Sequence, residues 1–266
     1  MIGGWLARLR ARREQRIVQR RAISDALWYD TLASLPFLAR WSDTDLADLR
    51  RLASLFLDEK EFSGAGGLTV TDAMAVRIAV QACLPVLRIG LHVYRGFVGI
   101  VVHPDEVVAP REMVDDDGVV HQYDEVLTGE AMGGGPLMLS WTDVRDAGES
   151  ADWAYNVVIH EFAHVLDMAE GQEADGVPPL PSAERRKHWL SVLDAEYETF
   201  CHWVDEERDT VLDPYGASDV SEFFAVAVEA FFVASEAMRH EHPKLHALFA
   251  DYFRQDPASS ASQESK

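Results

Sequence analysis

The stretch VVIHEFAHVLD, residues 157–167, determines how the rest of the chain is interpreted. Its apolar residues recur at helical spacing, which predicts an amphipathic helix over about 152–168. Residues four positions apart share one face of a helix, so the imidazoles of His160 and His164 can reach the same ion. Imidazole nitrogens suit tetrahedral zinc, and the pair is therefore predicted to bind one Zn²⁺ ion.

Glu161 directly follows the first histidine and is expected to project beside the metal rather than onto it. In that position it can take a proton from a metal-activated water and later pass the proton to a leaving amine. We therefore interpret Glu161 as the catalytic acid and base. The competing interpretation is a helix that carries two ordinary, partly buried histidines.

A catalytic zinc site needs a third protein ligand, and several carboxylates compete for this role. Glu170 stands six residues after His164, but this spacing requires a glycine where the chain has Asp167. Asp167 itself is better suited to accept a hydrogen bond from a ligand histidine and so fix the ring. Glu222 and Glu229 lie seven residues apart in an apolar helical segment, where a carboxylate is costly unless it is paired or metal-bound. Periodicity does not choose between these two.

Composition limits the class of protein. The chain has 266 residues, of which 48% are hydrophobic, so a sizeable core is expected. No apolar run approaches the roughly 18 residues of a membrane span, and the start of the chain does not resemble a secretory signal. We therefore expect a cytoplasmic protein without a membrane span. The net charge of −21 disfavours direct binding to nucleic acid.

The charge is unevenly distributed along the chain. Residues 1–21 contain seven arginines and one glutamate, a local charge of +6, so the other residues carry about −27. This basic N-terminal arm either docks on the acidic body, a partner or a membrane surface, or is a solvated, frayed helix. Residues 22–255 are interpreted as a single domain, and the polar residues 256–266 as a disordered tail.

The remaining pattern predicts an α+β fold, with a mostly helical body and a small mixed or antiparallel sheet. Short β-rich runs are predicted at Leu91–Tyr94, Phe97–Val102, Val119–Tyr123 and Leu137–Trp141, with Asp115–Gly118 as a hairpin turn. The run Leu137–Trp141 comes just before the active-site helix. It is either a strand at the cleft edge that pairs with an extended peptide or an ordinary interior strand.

The chain resembles the Mlc titration factor A family, zinc peptidases of bacteria, over about residues 24–255. The similar segments are VVIHEFAHVLD (157–167), DPYGASDVSEFFAVAVEAFF (213–232), EKEFSGAGGLTVTDAMAVRIAVQACLPVL (59–87) and GGPLMLSW (134–141). The resemblance implies His160, His164 and Glu222 as the ligands of one Zn²⁺ ion, and Glu161 as the catalytic acid and base. It also implies a zincin-like fold that holds zinc between the HExxH helix and a later Glu-bearing helix.

The resemblance also points to Tyr215, which precedes Glu222 by seven residues. A similar relation occurs in the catalytic domain of anthrax lethal factor, and a phenol near the metal can hydrogen-bond the oxyanion of an intermediate. The alternative is a tyrosine that packs a Pro-Gly turn.

The resemblance implies a zinc metallopeptidase, including an aminopeptidase-like form, that acts on a peptide or protein substrate. It further implies regulation through binding a transcriptional repressor of sugar uptake. The alternative is a non-catalytic regulatory binding protein with a structural or vestigial zinc site. Intact Glu161 favours the enzyme, because a purely structural site has no need of a carboxylate beside the first histidine.

Overall fold

Helices form most of the chain in the computed structural model, which describes residues 2–114, 120–127, 129–131, 135–169 and 174–260. They are α1 (Ile2–Arg20), α2 (Asp25–Ala33), α3 (Asp43–Glu59), α4 (Asp72–Cys83), α5 (Trp141–Ser150), α6 (Val157–Asp167), α7 (Ala183–Asp205), α8 (Val220–Val233), α9 (Ser235–Glu241), α10 (Pro243–Phe253) and α11 (Pro257–Ser260). The predicted, mostly helical body is confirmed. No helix in these ranges is long and apolar enough to cross a bilayer.

The strands form one small sheet and one separate pair. They are β1 (Glu61–Gly64), β2 (Gly99–His103), β3 (Val107–Val114), β4 (Val120–Leu127), β5 (Gly129–Ala131) and β6 (Leu137–Ser140). The sheet has the order β1-β2-β6-β5, in which β1, β2 and β6 are parallel and the short β5 runs antiparallel to β6. The β3–β4 pair is antiparallel. The residues predicted to form its turn, 115–118, lie outside the described residues.

The parallel part of the sheet follows from the connections along the chain. Helix α4 lies between β1 and β2 in sequence, and parallel neighbours need such a crossover. Strand β6 pairs on both sides, with β2 and with β5, so the expected strand at Leu137–Trp141 is an interior one. Within the described residues, β5 is the edge strand on this side, and it packs against α6.

The prediction of a strand at Leu91–Tyr94 is wrong, because these residues form a short 3₁₀ helix. It begins after Gly90, whose φ of 98° is a conformation that glycine adopts without strain. Val93 and Tyr94 are buried, and the Tyr94 hydroxyl donates a hydrogen bond to Ala82 O. The apolar run therefore reflects burial of a turn rather than the period of a strand.

Helix α6 packs against α8 on one side and against residues near the starts of β1 and β2 on the other. Phe162 of α6 is fully buried, and its ring contacts those of Phe56, Tyr94 and Phe97 at centroid distances of 4.9–5.8 Å. On the other side, α8 is apolar on all faces and almost entirely buried, as expected for a helix inside a core. These two helices are therefore held firmly where the candidate site forms.

The second half of the basic helix α1 packs against α3. Ile17 and Val18 are partly buried against the core, and Arg20 and Arg21 form ion pairs with Asp58. At the other end of the chain, Pro257–Ser260 forms one helical turn, and residues 261–266 of the predicted disordered tail lie outside the described residues. The domain limits remain predictions.

Lys60 links the end of α3 to the chain that enters β2. Its ammonium group donates hydrogen bonds to Tyr94 O at 2.5 Å and Phe97 O at 2.6 Å, and it lies 3.8 Å from the centroid of the Phe97 ring. Burial lowers the pKa of this amine to about 8. The residue therefore compensates two buried carbonyls at the start of the sheet.

We expect Lys60→Ala to lower the free energy of unfolding by about 2 kcal/mol or more, because it leaves buried carbonyl groups without their donor. Chemical denaturation followed by circular dichroism measures the change. Lys244→Ala, at an exposed position of α10, is the matched control and should change stability by less than about 0.5 kcal/mol. Equal effects of the two substitutions would show that the Lys60 contacts contribute nothing specific.

Candidate metal centre

Helix α6 presents its two histidines on one face. Asn156 caps the helix, since its side-chain oxygen accepts a hydrogen bond from Ile159 N at 3.0 Å. One turn into the helix, His160 Nε2 lies 3.2 Å from His164 Nε2, and the ring centroids are 4.8 Å apart. The predicted convergence of the two imidazoles is therefore present in the structure.

Glu222 meets both histidines from the first turn of α8. This helix is capped by Asp219, whose carboxylate accepts hydrogen bonds from the backbone of Ser221 and Glu222. Glu222 Oε2 lies 3.1 Å from His160 Nε2 and 3.4 Å from His164 Nε2. Among the described residues, these three side chains form the one cluster with the composition and spacing of a metal site.

The spacing of these three atoms fits a zinc ion. Ligand atoms about 2.0–2.1 Å from a tetrahedral Zn²⁺ lie about 3.3 Å from one another. The observed separations are 3.1, 3.2 and 3.4 Å. Glu222 Oε2 is also buried without a properly oriented hydrogen bond from any residue that the structure describes. Two imidazoles and a carboxylate are a donor set that zinc favours, so the residues present fit this metal.

Charge around Glu222 keeps its carboxylate ionised. Burial alone would raise its pKa, but the neighbouring His160 and His164 hold the pKa of this carboxyl well below its usual range. A metal ligand must be deprotonated, and a carboxyl with a low pKa meets that requirement at neutral pH.

Glu229 orients the first histidine from inside the core. The residue is 1% exposed, and Oε1 lies 2.7 Å from His160 Nδ1. Its other oxygen accepts a short hydrogen bond from the backbone N–H of Asn156, and Asn156 Nδ2 donates to Gln81 Oε1 at 2.8 Å. A carboxylate on Nδ1 directs Nε2 of the same ring towards the metal position.

Ser221 performs the corresponding role for the second histidine. Its hydroxyl oxygen lies 3.1 Å from His164 Nδ1, and the side chain is mostly buried. With Nδ1 engaged in this contact, His164 Nε2 is left to face Glu222. Both rings are therefore held in place by side chains of the same helix, α8.

Asp167 lies elsewhere than the sequence predicts. Its carboxylate accepts hydrogen bonds from the backbone N–H groups of Gly176 at 2.8 Å and Val177 at 2.9 Å. Burial raises its pKa to about 6, although these N–H groups act in the opposite direction. Asp167 thus fastens the following loop to the end of α6, and the carboxylate that contacts a candidate ligand is Glu229. The other alternative, Glu170, lies outside the described residues.

Glu161 is buried beside the site, beneath the edge strand. It is 4% exposed, and its Oε2 has no hydrogen-bond partner in the described part of the chain. Burial raises its pKa to about 7, against the lowering influence of His160 and His164. Gly129 of β5 passes directly over this carboxylate, since a Cβ there would collide with Oε1 and come within 2.5 Å of Cγ.

Tyr215 lies on the exposed side of the same site. It belongs to a 3₁₀ turn, Pro214–Ala217, which is held by a hydrogen bond from Tyr215 N to Asp213 Oδ1 at 2.9 Å. The turn packs tightly on α8, because a Cβ at Gly216 would lie 2.5 Å from Val226 Cγ2. The Tyr215 ring is 6.4 Å from the His160 ring between centroids, and the residue is 53% exposed.

Sequence reasoning missed the orienting roles of Glu229 and Ser221, and it missed the approach of Gly129. A signal existed for Glu229, because a carboxylate in an apolar helix requires a partner. No signal of comparable strength marked Gly129, since only the three-dimensional pairing of β5 with β6 brings it to Glu161.

Comparison with known proteins identifies the family of the chain. The family model described as glucose-regulated metallo-peptidase M90 matches residues 9–254. Mlc titration factor A of Salmonella arizonae is 35% identical over 237 residues, 88% of this chain and 93% of that protein. The protein of the same name from Pectobacterium atrosepticum is 37% identical over 227 residues, which is 84% of this chain and 84% of that protein. An uncharacterized protein of Synechocystis sp. is 35% identical over 225 residues, 84% of this chain and 81% of that protein. The predicted resemblance is confirmed, and the chain belongs to the M90 family of glucose-regulated metallo-peptidases.

Proposed function

We propose that the chain is a zinc-dependent peptidase that binds one Zn²⁺ ion through His160, His164 and Glu222. The observation that carries this proposal is the mutual spacing of their three ligand atoms, 3.1–3.4 Å, at a partly buried junction of α6 and α8. Three protein ligands leave a coordination position for water or substrate, which is typical of catalytic rather than structural zinc.

When bound, zinc polarises the scissile carbonyl and activates the attacking water. The chain's own contribution is proton transfer by Glu161, which accepts the proton of the water and delivers it to the leaving amine. Its raised pKa, about 7, suits a group that must both accept and donate near neutral pH. The contact with Gly129 limits the movement of this carboxylate.

Tyr215 is proposed to hydrogen-bond the oxyanion that develops on the substrate. Its position supports this role, because the ring lies beside His160 and the side chain is half-exposed, on the side from which a substrate can approach. The Asp213 cap and the contact of Gly216 with α8 fix the turn that carries it.

We propose that an extended peptide pairs with the outer edge of β5. The sequence left the run Leu137–Trp141 as either a cleft-edge strand or an interior one, and β6 has a strand on each side. Among the strands that the structure describes, β5 ends the sheet, and its Gly129 lies against Glu161, so a peptide beside β5 would pass the proposed catalytic carboxylate. Comparing aminoacyl amides with internally quenched peptides will test whether the activity is aminopeptidase-like.

The second candidate function is regulatory binding. Relatives bear the name Mlc titration factor A, which suggests an interaction with Mlc for those proteins. For this chain we propose a repressor protein as a partner, without direct nucleic-acid binding and with a cytoplasmic location. A non-catalytic version of this candidate, with a structural or vestigial zinc site, is the rival of the peptidase proposal.

We expect zinc-loaded Glu161→Gln to hydrolyse peptides about 10²- to 10⁴-fold more slowly than the wild type, because the amide cannot accept the proton. Initial rates on a peptide library, with the metal content of each preparation measured, test this. Glu198→Gln, at an exposed position of α7, is the matched control and should retain full activity. Equal activity of wild type and Glu161→Gln, or none in either, would favour the non-catalytic candidate.

We expect Glu222→Ala to weaken zinc binding more than Glu229→Gln, since it removes a proposed ligand atom. Glu229→Gln removes only the negative charge of the carboxylate that contacts His160 Nδ1, and it should lower zinc affinity roughly 10- to 100-fold. Asp167→Asn should leave zinc affinity nearly unchanged, because its contacts are with Gly176 and Val177. Chelator competition measures all three affinities. Tight zinc binding by Glu222→Ala, with loss in Glu229→Gln, would reassign the third ligand.

We expect Gly129→Ala to reduce kcat/KM by roughly 10²-fold while zinc content stays constant, because the added methyl displaces Glu161 by a fraction of an ångström or more. The matched control is Gly96→Ala, where an added Cβ meets nothing within 4 Å. If both variants keep wild-type activity, Gly129 does not position the carboxylate.

A further inference from the structure

The N-terminal part of α1, residues 2–13, is a basic helical segment that the proposed peptidase chemistry does not use. We call it the arm tip. It contains four arginines and no acidic residue. Every side chain that the structure describes between positions 5 and 13 is exposed, including those of Arg8, Arg12 and Arg13. The arm tip is therefore a concentrated patch of positive charge on an otherwise acidic protein.

The rest of the same helix is docked, so the arm tip is held in a defined place. Arg20 and Arg21 pair with Asp58, and Arg51 lies 3.5 Å from Glu14 between charged atoms. Ile17 and Val18 pack against the core. These contacts are made by residues 14–21, directly C-terminal to the arm tip.

Two large apolar side chains are exposed on the arm tip. Trp5 is 63% exposed and Leu9 is 43% exposed, and residues four positions apart lie on one face of a helix. The segment also contains Ile2 and Leu6. Arginines flanking an exposed Trp/Leu face are the composition of a helix that lies in a membrane interface, where tryptophan occupies the headgroup region.

We propose that the arm tip anchors the protein to the surface of bilayers that contain anionic phospholipids. The positive charge is complementary to anionic headgroups, and the exposed Trp5 and Leu9 gain from burial at the acyl boundary. Nucleic acid complements the charge but offers no apolar layer for these two side chains. The rest of the chain carries a charge of about −27, and salt screens its repulsion of an anionic surface beyond about 8 Å.

The test is co-sedimentation of the full chain with phosphatidylcholine vesicles, with and without phosphatidylglycerol. We expect binding only to the phosphatidylglycerol vesicles, and weaker binding as salt rises. The triple substitution Arg8→Gln, Arg12→Gln and Arg13→Gln should weaken binding about 100-fold, since each arginine contributes roughly five-fold near an anionic surface. Trp5→Ala with Leu9→Ala should weaken it at least ten-fold.

A matched control separates the arm tip from net charge. Arg208→Gln, Arg239→Gln and Arg254→Gln make the same charge change at exposed positions of the body and should bind vesicles as the wild type does. Equal loss in the two triple variants, or no preference for phosphatidylglycerol, would overturn the proposal.

Two further outcomes would assign the arm tip to another partner and also overturn the proposal. One is tighter binding to duplex DNA than to vesicles at the same salt. The other is self-association by sedimentation that the arm-tip substitutions abolish. Peptide hydrolysis measured in parallel should be unchanged by every arm-tip variant, so failure of this proposal is distinguishable from failure of the proposed peptidase activity.

Discussion

The contact between Glu229 and His160 is the interaction on which the rest of the candidate site depends. An ionisable carboxylate at 1% exposure in an apolar helix is costly unless its oxygens are paired. Both oxygens of Glu229 are engaged, one by His160 Nδ1 and the other by the backbone of Asn156, which is also the cap of α6. The contacts that compensate the buried carboxylate of Glu229 therefore also orient His160. Stability and function are not separable at this junction.

The orienting contacts continue into the core rather than towards solvent. Asn156 reaches Gln81 of α4, and Ser221 holds the second histidine from α8. Phe162, on the same helix as both histidines, is packed between the rings of Phe56 and Tyr94. A site supported in this way keeps its geometry because buried side chains have few alternative rotamers. The exposed element, the turn that carries Tyr215, is fixed separately by its own cap and by Gly216.

Local periodicity was sufficient to predict what lies within one helix and insufficient for what lies between helices. The pairing of His160 with His164 follows from the helical repeat alone. The choice between Glu222 and Glu229 does not, because seven residues bring both to nearly one face and only the packing of α8 on α6 separates them. The sequence predicts that Asp167 contacts a ligand ring, but its carboxylate binds the backbone of Gly176 and Val177 in the following loop. The position of that loop depends on tertiary packing rather than on the residues next to Asp167. Strand β6 was identified, whereas its neighbours depend on long-range pairing.

Gly129 has a consequence for selectivity. On the β5 side, main chain without a side chain borders the buried Glu161, and main-chain atoms offer the same hydrogen-bonding groups to every peptide. If a peptide pairs with β5 as proposed, the contact at Gly129 involves its backbone rather than its side chains. In a peptidase built this way, preference for one amino acid over another has to arise from side chains on the remaining walls of the cleft.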